Sequence, residues 1–132
     1  MRLPIPSALV ILSGMTDTSH TGTCHCGKVT LIIPRAPDYI NECNCSLCHK
    51  LGTIWGYFTP EEVKVSGDTQ SYTRDDCHPP ALRTHFCGHC SCVTHWSAAS
   101  ALAEGRMGVN MRLFGDEAVA GVEVRKVDGR AW

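Results

Sequence analysis

Leu82-Arg83-Thr84-His85-Phe86-Cys87-Gly88-His89-Cys90-Ser91-Cys92-Val93-Thr94-His95-Trp96 sets two runs rich in apolar, aromatic and β-branched residues on either side of a Cys-x-x-Cys knuckle. Short runs of this composition bounded by turn residues read as strands. The stretch therefore predicts a hairpin, Leu82–Cys87 and Val93–Trp96, with the cysteine pair as its turn. Thiols one or two residues apart are poor disulfide partners, because bridged Cα atoms prefer a separation of roughly 5.5–6 Å with particular dihedrals. They suit a tetrahedral metal instead.

Working outward, Val29, Leu31 and Ile33 alternate until Pro34, the period of a half-buried strand, so Cys24-His25-Cys26 is expected to open one. Cys43-Asn44-Cys45-Ser46-Leu47-Cys48 leads into a single helical turn ending at Gly52, and Ile54–Phe58 reads as a further strand. Thr59-Pro60-Glu61-Glu62 carries a capping residue, a proline and two first-turn acids, so these glutamates are read as capping groups, not catalytic ones. Val63–Ser66 and Gln70–Thr73 are expected to form a hairpin across Gly67-Asp68. Ala98–Gly105 is a loop or short helix, and Val109–Phe114 and Val122–Val127 are strand candidates. The sum is an all-β protein, a small sheet or sandwich of short antiparallel strands with little helix and no internal repeat.

The 132 residues fit one domain, and 43% hydrophobic with 19% charged residues is a globular composition. A formal net charge of −1 supplies no attraction for polyanions, and binding seven thiolates to two divalent ions makes the total more negative, so no nucleic acid partner is expected. Nine cysteines, an odd number in tight clusters, point to metal and a reducing compartment, the cytoplasm, over a secreted disulfide framework. The only uninterrupted apolar run near the start is Ala8–Leu12, too short for a membrane span. Residues 1–20 are accordingly expected to be a disordered tail and 21–132 a zinc-binding domain, with no membrane partner.

Spacing alone does not say which clusters share a metal. Cys24 and Cys26 offer two ligands, Cys87 and Cys90 two more, and Cys43, Cys45 and Cys48 three. The economical division is a closed four-cysteine site from the outer pairs and an open three-cysteine site from the middle cluster, since four thiolates complete a zinc tetrahedron and three leave a position free.

Gly22-Thr23-Cys24-His25-Cys26-Gly27-Lys28-Val29, Cys43-Asn44-Cys45-Ser46-Leu47-Cys48-His49-Lys50 and Phe86-Cys87-Gly88-His89-Cys90 resemble, in order, the three signatures of the glutathione-dependent formaldehyde-activating enzyme family, which includes centromere protein V relatives. Val109-Asn110-Met111-Arg112 and Val124-Arg125-Lys126-Val127-Asp128-Gly129 are similar to that family's ending. The resemblance implies a zinc-tied β-tent with two Zn2+ per chain: one structural, on Cys24, Cys26, Cys87 and Cys90, and one catalytic, on Cys43, Cys45 and Cys48. It implies a carbon-sulfur lyase that joins a small-molecule thiol, glutathione, to an aldehyde, formaldehyde, giving S-(hydroxymethyl)glutathione. A three-thiolate zinc is already negative and a poor Lewis acid, so positioning the thiol is its expected task and carbonyl polarisation a secondary one. The alternatives are a non-catalytic zinc-stabilised scaffold, its second site closed by Cys77, Cys92 or a histidine, and a metal-free dithiol redox protein, against which the lack of a βαβ pattern counts.

Ser91 stands where the family usually has glycine, at a position suited to positive φ. Cys92 is expected to be a buried thiol and Cys77 a spare one. Enough cysteines exist to leave His25, His49 and His89 out of the ligand set. Trp55, Tyr57 and Phe58 are read as core, and Arg35, Lys50 and Arg83 as solvated cations.

Overall fold

The computed structural model describes residues 18–76 and 79–131. Residues 1–17, to which most of the expected tail belongs, and Cys77 lie outside the described residues. Among the described residues ten strands form two sheets. In the smaller sheet, β1 (His20–Thr23) pairs with β2 (Thr30–Ile33), which pairs with β5 (Lys64–Ser66). The larger sheet also contains β3 (Tyr39–Cys43), β4 (Trp55–Phe58), β6 (Thr69–Thr73), β7 (Leu82–Cys87), β8 (Val93–Ala98), β9 (Met107–Asn110) and β10 (Glu123–Val127), in the order β10-β3-β4-β9-β8-β7-β6. Among the described residues one α-helix, α1 (Ser46–Leu51), and single 3-10 turns complete the fold, so the protein is mostly β with little helix.

The main core lies between the sheets. Leu31 and Ile33 from β2 and the preceding Val29 meet Ile40, Phe58 and Val109 from the larger sheet, with Met111 beyond, all nearly inaccessible to solvent. Each such side chain contributes roughly 1.5–3 kcal/mol by leaving water. Because side chains alternate across a sheet, Trp55 of β4 and Trp96 of β8 project from the other face, where they form a second cluster with Ala103 from the turn that follows β8. The aromatic strand expected to be core thus divides. Phe58 enters the main core, and Trp55 and Tyr57 line the opposite face.

The hairpin around Cys87–Cys90 forms as expected, β7 pairing antiparallel with β8. So do the short helix ending at Gly52 and the turn at Pro60–Glu62, where a Glu62 carboxylate oxygen accepts the Thr59 N–H at 2.9 Å. The structure corrects three expectations. Cys24 and Cys26 do not open a strand: they sit in the turn joining β1 to β2, and β1 escaped notice because His20-Thr21-Gly22-Thr23 has no apolar alternation. Val63–Ser66 and Gln70–Thr73 do not form a hairpin. Gly67-Asp68 instead carries the chain from the smaller sheet to the larger, with Gly67 at φ +102° and so close to the Lys28 carbonyl that a Cβ would collide with it. Finally, the strands are not all antiparallel, since β10 runs parallel to β3. Residues 111–122 carry the chain from the end of β9, past β4 and β3 in the sheet order, to β10 at the sheet edge.

His85 and His95 face each other across β7 and β8 with stacked rings, 4.3 Å between centroids. Burial, and secondarily the neighbouring His85, lower the His95 pKa from 6.5 to about 4. The folded state therefore holds His95 neutral while the unfolded chain takes up a proton below pH 6.5, so its contribution is intact above 6.5 and is lost as pH falls toward 4. The loss amounts to roughly 3 kcal/mol. His95→Gln is expected to flatten the denaturant-midpoint profile between pH 6.5 and 4 relative to wild type, and identical profiles would show that His95 does not titrate this way.

Candidate metal centres and cleft

The four outer cysteines converge although they come from different sheets. Cys24 and Cys26 occupy the β1–β2 turn, Cys87 ends β7, and Cys90 lies in the β7–β8 turn, yet their sulfurs all lie within 4.8 Å of one another. Cys26 Sγ is 3.7 Å from Cys24 Sγ and 3.6 Å from Cys87 Sγ. A zinc tetrahedron with ~2.3 Å bonds has edges of about 3.8 Å, so these spacings and the soft donor set fit zinc. Backbone amides already point at the sulfurs: Val29 N–H donates to Cys24 Sγ at 3.3 Å and His89 N–H to Cys87 Sγ at 3.3 Å. Ser91, just past the knuckle, adopts φ +71° without being glycine.

The second group consists of Cys43, at the end of β3, Cys45, which caps α1, and Cys48, within α1. Their sulfurs also lie within 4.8 Å of one another, and the set fits the same metal with three donors. Cys48 N–H donates to Cys45 Sγ at 3.3 Å, and Cys45 N–H to Cys43 Sγ at 3.4 Å. Two side chains add charge or polarity: the Trp55 indole N–H donates to Cys48 Sγ at 3.3 Å, and Arg74 Nη1 to Cys45 Sγ at 3.5 Å. Asp76 holds Arg74 through Nε–Oδ1 at 2.6 Å.

The thiols show the crowding of negative charge expected in such groups. Burial disfavours ionisation of Cys45, but the Cys48 N–H, the Arg74 guanidinium and the adjoining thiols outweigh it and bring the group down to about 7. Burial and the charge of its neighbours push Cys48 up to about 12, against the Trp55 N–H. In the four-cysteine group, backbone N–H groups of Cys92 and Cys26 bring Cys90 down to about 5. Cys26 rises to about 12: the Lys28 N–H favours its thiolate, but desolvation and the surrounding thiols prevail. A divalent cation relieves this repulsion and lets every sulfur ionise.

The two groups differ in their surroundings. Cys43, Cys45 and Cys48 line a cleft of about 320 Å³ on the face of the larger sheet remote from the main core, together with Trp55, Tyr57, Trp96, Arg74 and Arg106. Trp96 and Tyr57 meet edge to face at 6.1 Å, and Asn41 Nδ2 donates to Tyr57 Oη at 2.9 Å. The C-terminal turn closes the group's other side. Asn44 Nδ2 donates to Asp128 Oδ1 at 3.0 Å, Arg130 Nε donates to the Asn44 carbonyl at 2.8 Å, and Gly129 packs directly on Cys43 and Cys45.

Residues 19–123 match the profile of the glutathione-dependent formaldehyde-activating enzyme family. The chain belongs to that family. The fold is also similar to that of a Rhodobacter sphaeroides protein known from a crystal structure, 23% identical, with a TM-score of 0.60 over 79% of this chain and 98% of that one. Membership links the chain to glutathione and formaldehyde chemistry and to cysteine clusters compatible with metal. Among the described residues no histidine joins either group, and Cys92 stays outside both, packing against the main core. Arg35 pairs with Glu62 and Arg83 donates to Thr73, both away from the cleft. Sequence reasoning missed Arg74, Arg106, Asn41 and Trp96. The first two resemble ordinary turn cations, and only the strand register reveals that the others share a face with Trp55 and Tyr57.

Two substitutions probe these centres. A Cβ on residue 129 would lie 2.6 Å from Cys43 Sγ and 2.8 Å from the Cys45 Cβ, so Gly129→Ala should weaken metal retention by the three-cysteine group on the order of tenfold. Metal content after dialysis against a graded chelator checks this, with retention by the four-cysteine group as the internal reference. At Ser91, a left-handed conformation costs a residue with a Cβ about 1 kcal/mol, so Ser91→Gly should stabilise the protein by up to that amount and Ser91→Val should destabilise it, read from urea midpoints.

Proposed function

We propose that this protein is a zinc-dependent carbon-sulfur lyase-type enzyme that adds glutathione, or a closely related thiol, to formaldehyde and releases it in reverse. The observation that carries the reading is the three-cysteine group lining an aromatic cleft, where a small molecule can approach the sulfurs. The domain is read as residues 21–132 with a structural zinc on Cys24, Cys26, Cys87 and Cys90. A reducing compartment, the cytoplasm, suits its free thiols. No helix among the described residues is long and apolar enough to cross a membrane.

Cys43, Cys45 and Cys48 would hold the catalytic zinc, which when bound supplies a position for an incoming thiol and favours its thiolate. Trp55 and Arg74 keep Cys48 and Cys45 in place through N–H···S bonds, and the positive charge of Arg74 offsets part of the accumulated thiolate charge. Trp55, Tyr57 and Trp96 form a wall that excludes water and restricts the substrate to few orientations. The substrate thiolate attacks the aldehyde carbon, a C–S bond forms as the C=O π pair moves to oxygen, and that oxygen takes up a proton from solvent equal to the one the thiol gave up. In reverse, the hydroxymethyl oxygen loses its proton, the C=O bond reforms and the C–S pair returns to sulfur.

Metal content per chain in protein purified without added zinc, compared between wild type and Cys45→Ser, is the direct test. Two zincs, one of them lost in the variant and perturbed in the wild type by glutathione, support the enzyme. Two zincs indifferent to glutathione would favour a scaffold, and protein without zinc would sink both readings.

A further inference from the structure

The reading of the cleft as a thiol site leaves a question of selectivity, because its sulfur end and aromatic wall would accept any thiol. The cleft contains two guanidinium groups. Arg74 is committed: it donates to Asp76, Ser46 and Cys45. Arg106 is different. Its guanidinium lies 4.9 Å from the Tyr57 ring centroid, and among the described residues no carboxylate pairs with it. An exposed arginine is ordinarily free to move through solvent, but this one is held at both ends. Its backbone N–H donates to the Ala103 carbonyl at 3.1 Å, Ala103 is itself buried against Trp55 and Trp96, and its head stacks on Tyr57.

Its distance from the sulfurs suits a bifunctional ligand. Trp55, whose indole touches Cys48, and Tyr57, which carries Arg106, lie on the same face of β4 two residues apart, about 7 Å along the strand. A thiol engaged at the cysteine group would extend along the aromatic wall and present a group several bonds from its sulfur to Arg106. A guanidinium with its fork unused binds a carboxylate best. We propose that Arg106 is the specificity-determining residue of the cleft, binding a carboxylate of the incoming thiol and selecting acid-bearing thiols over neutral ones.

The test is isothermal titration of the zinc-loaded full chain with glutathione and with glutathione diethyl ester, in which both carboxylates are blocked. Wild type should bind glutathione about tenfold more tightly than the diester, the scale of one charged hydrogen-bonded contact. Arg106→Met keeps the packing on Tyr57 without the charge. It should lose that tenfold for glutathione while binding the diester as wild type does, which also shows that the variant is folded. Arg106→Lys should keep part of the preference, and Arg74→Gln, acting at the sulfur end, should weaken both ligands alike. Equal wild-type affinities, or an Arg106→Met variant that retains the preference or weakens both ligands equally, would overturn the role of Arg106 and leave the thiol site standing. A wild-type protein that binds neither compound would remove the thiol site and this inference together.

Discussion

Four sulfurs from two sheets meet at one point, and the packing of the molecule is organised around that meeting. Cys24 and Cys26 belong to the turn of the smaller sheet, Cys87 and Cys90 to a turn of the larger, and two of the four are themselves buried in the core between the sheets. A three-stranded sheet with strands of three and four residues has little stability of its own. Its apolar face is covered by the larger sheet, and thiols held this closely gain from a cation that neutralises them. Near this end Gly67 is required as well, because the chain crosses between the sheets beside Lys28 with no room for a Cβ.

The second group uses the same donors in another setting. Cys43, Cys45 and Cys48 come from one stretch of chain, the end of β3 and the start of α1, so local geometry alone brings the sulfurs near each other. What distant parts of the chain add is the environment. Trp55 and Arg74 donate to the sulfurs, Gly129 and Arg130 brace the back, and the cleft opens in front. The same larger sheet therefore does two jobs with its two faces. One closes over the core, and the other presents an aromatic wall next to the three sulfurs.

Much of this was legible in the residues. Counting the cysteines suggested a group of four and a group of three, and the structure brings the sulfurs together in those groups. Alternation of Val29, Leu31 and Ile33 marked the buried strand, and the Cys87–Cys90 knuckle marked the turn of its hairpin. The resemblance of the three cysteine motifs named the family that the profile match establishes. The failures share a cause. Gly67-Asp68 has the local chemistry of a hairpin turn, and only the competition of two sheets for β5 and β6 decides that they part. Likewise, β10 has nothing in its residues to say that it pairs parallel with β3.

Sequence by itself determined which atoms are available and how closely chain neighbours can bring them: soft sulfur donors in pairs and a triplet, strand periods, capping acids and a proline stop. These are properties of a few consecutive residues, set by covalent geometry and local hydrogen bonding. Only the tertiary structure decided which sheet each strand joined, which face of β4 lined the cleft, and that Arg74, Arg106 and Trp96 share that cleft with the three-cysteine group. Those outcomes depend on contacts between segments tens of residues apart, where the burial of one face against another selects a pairing that no local pattern encodes.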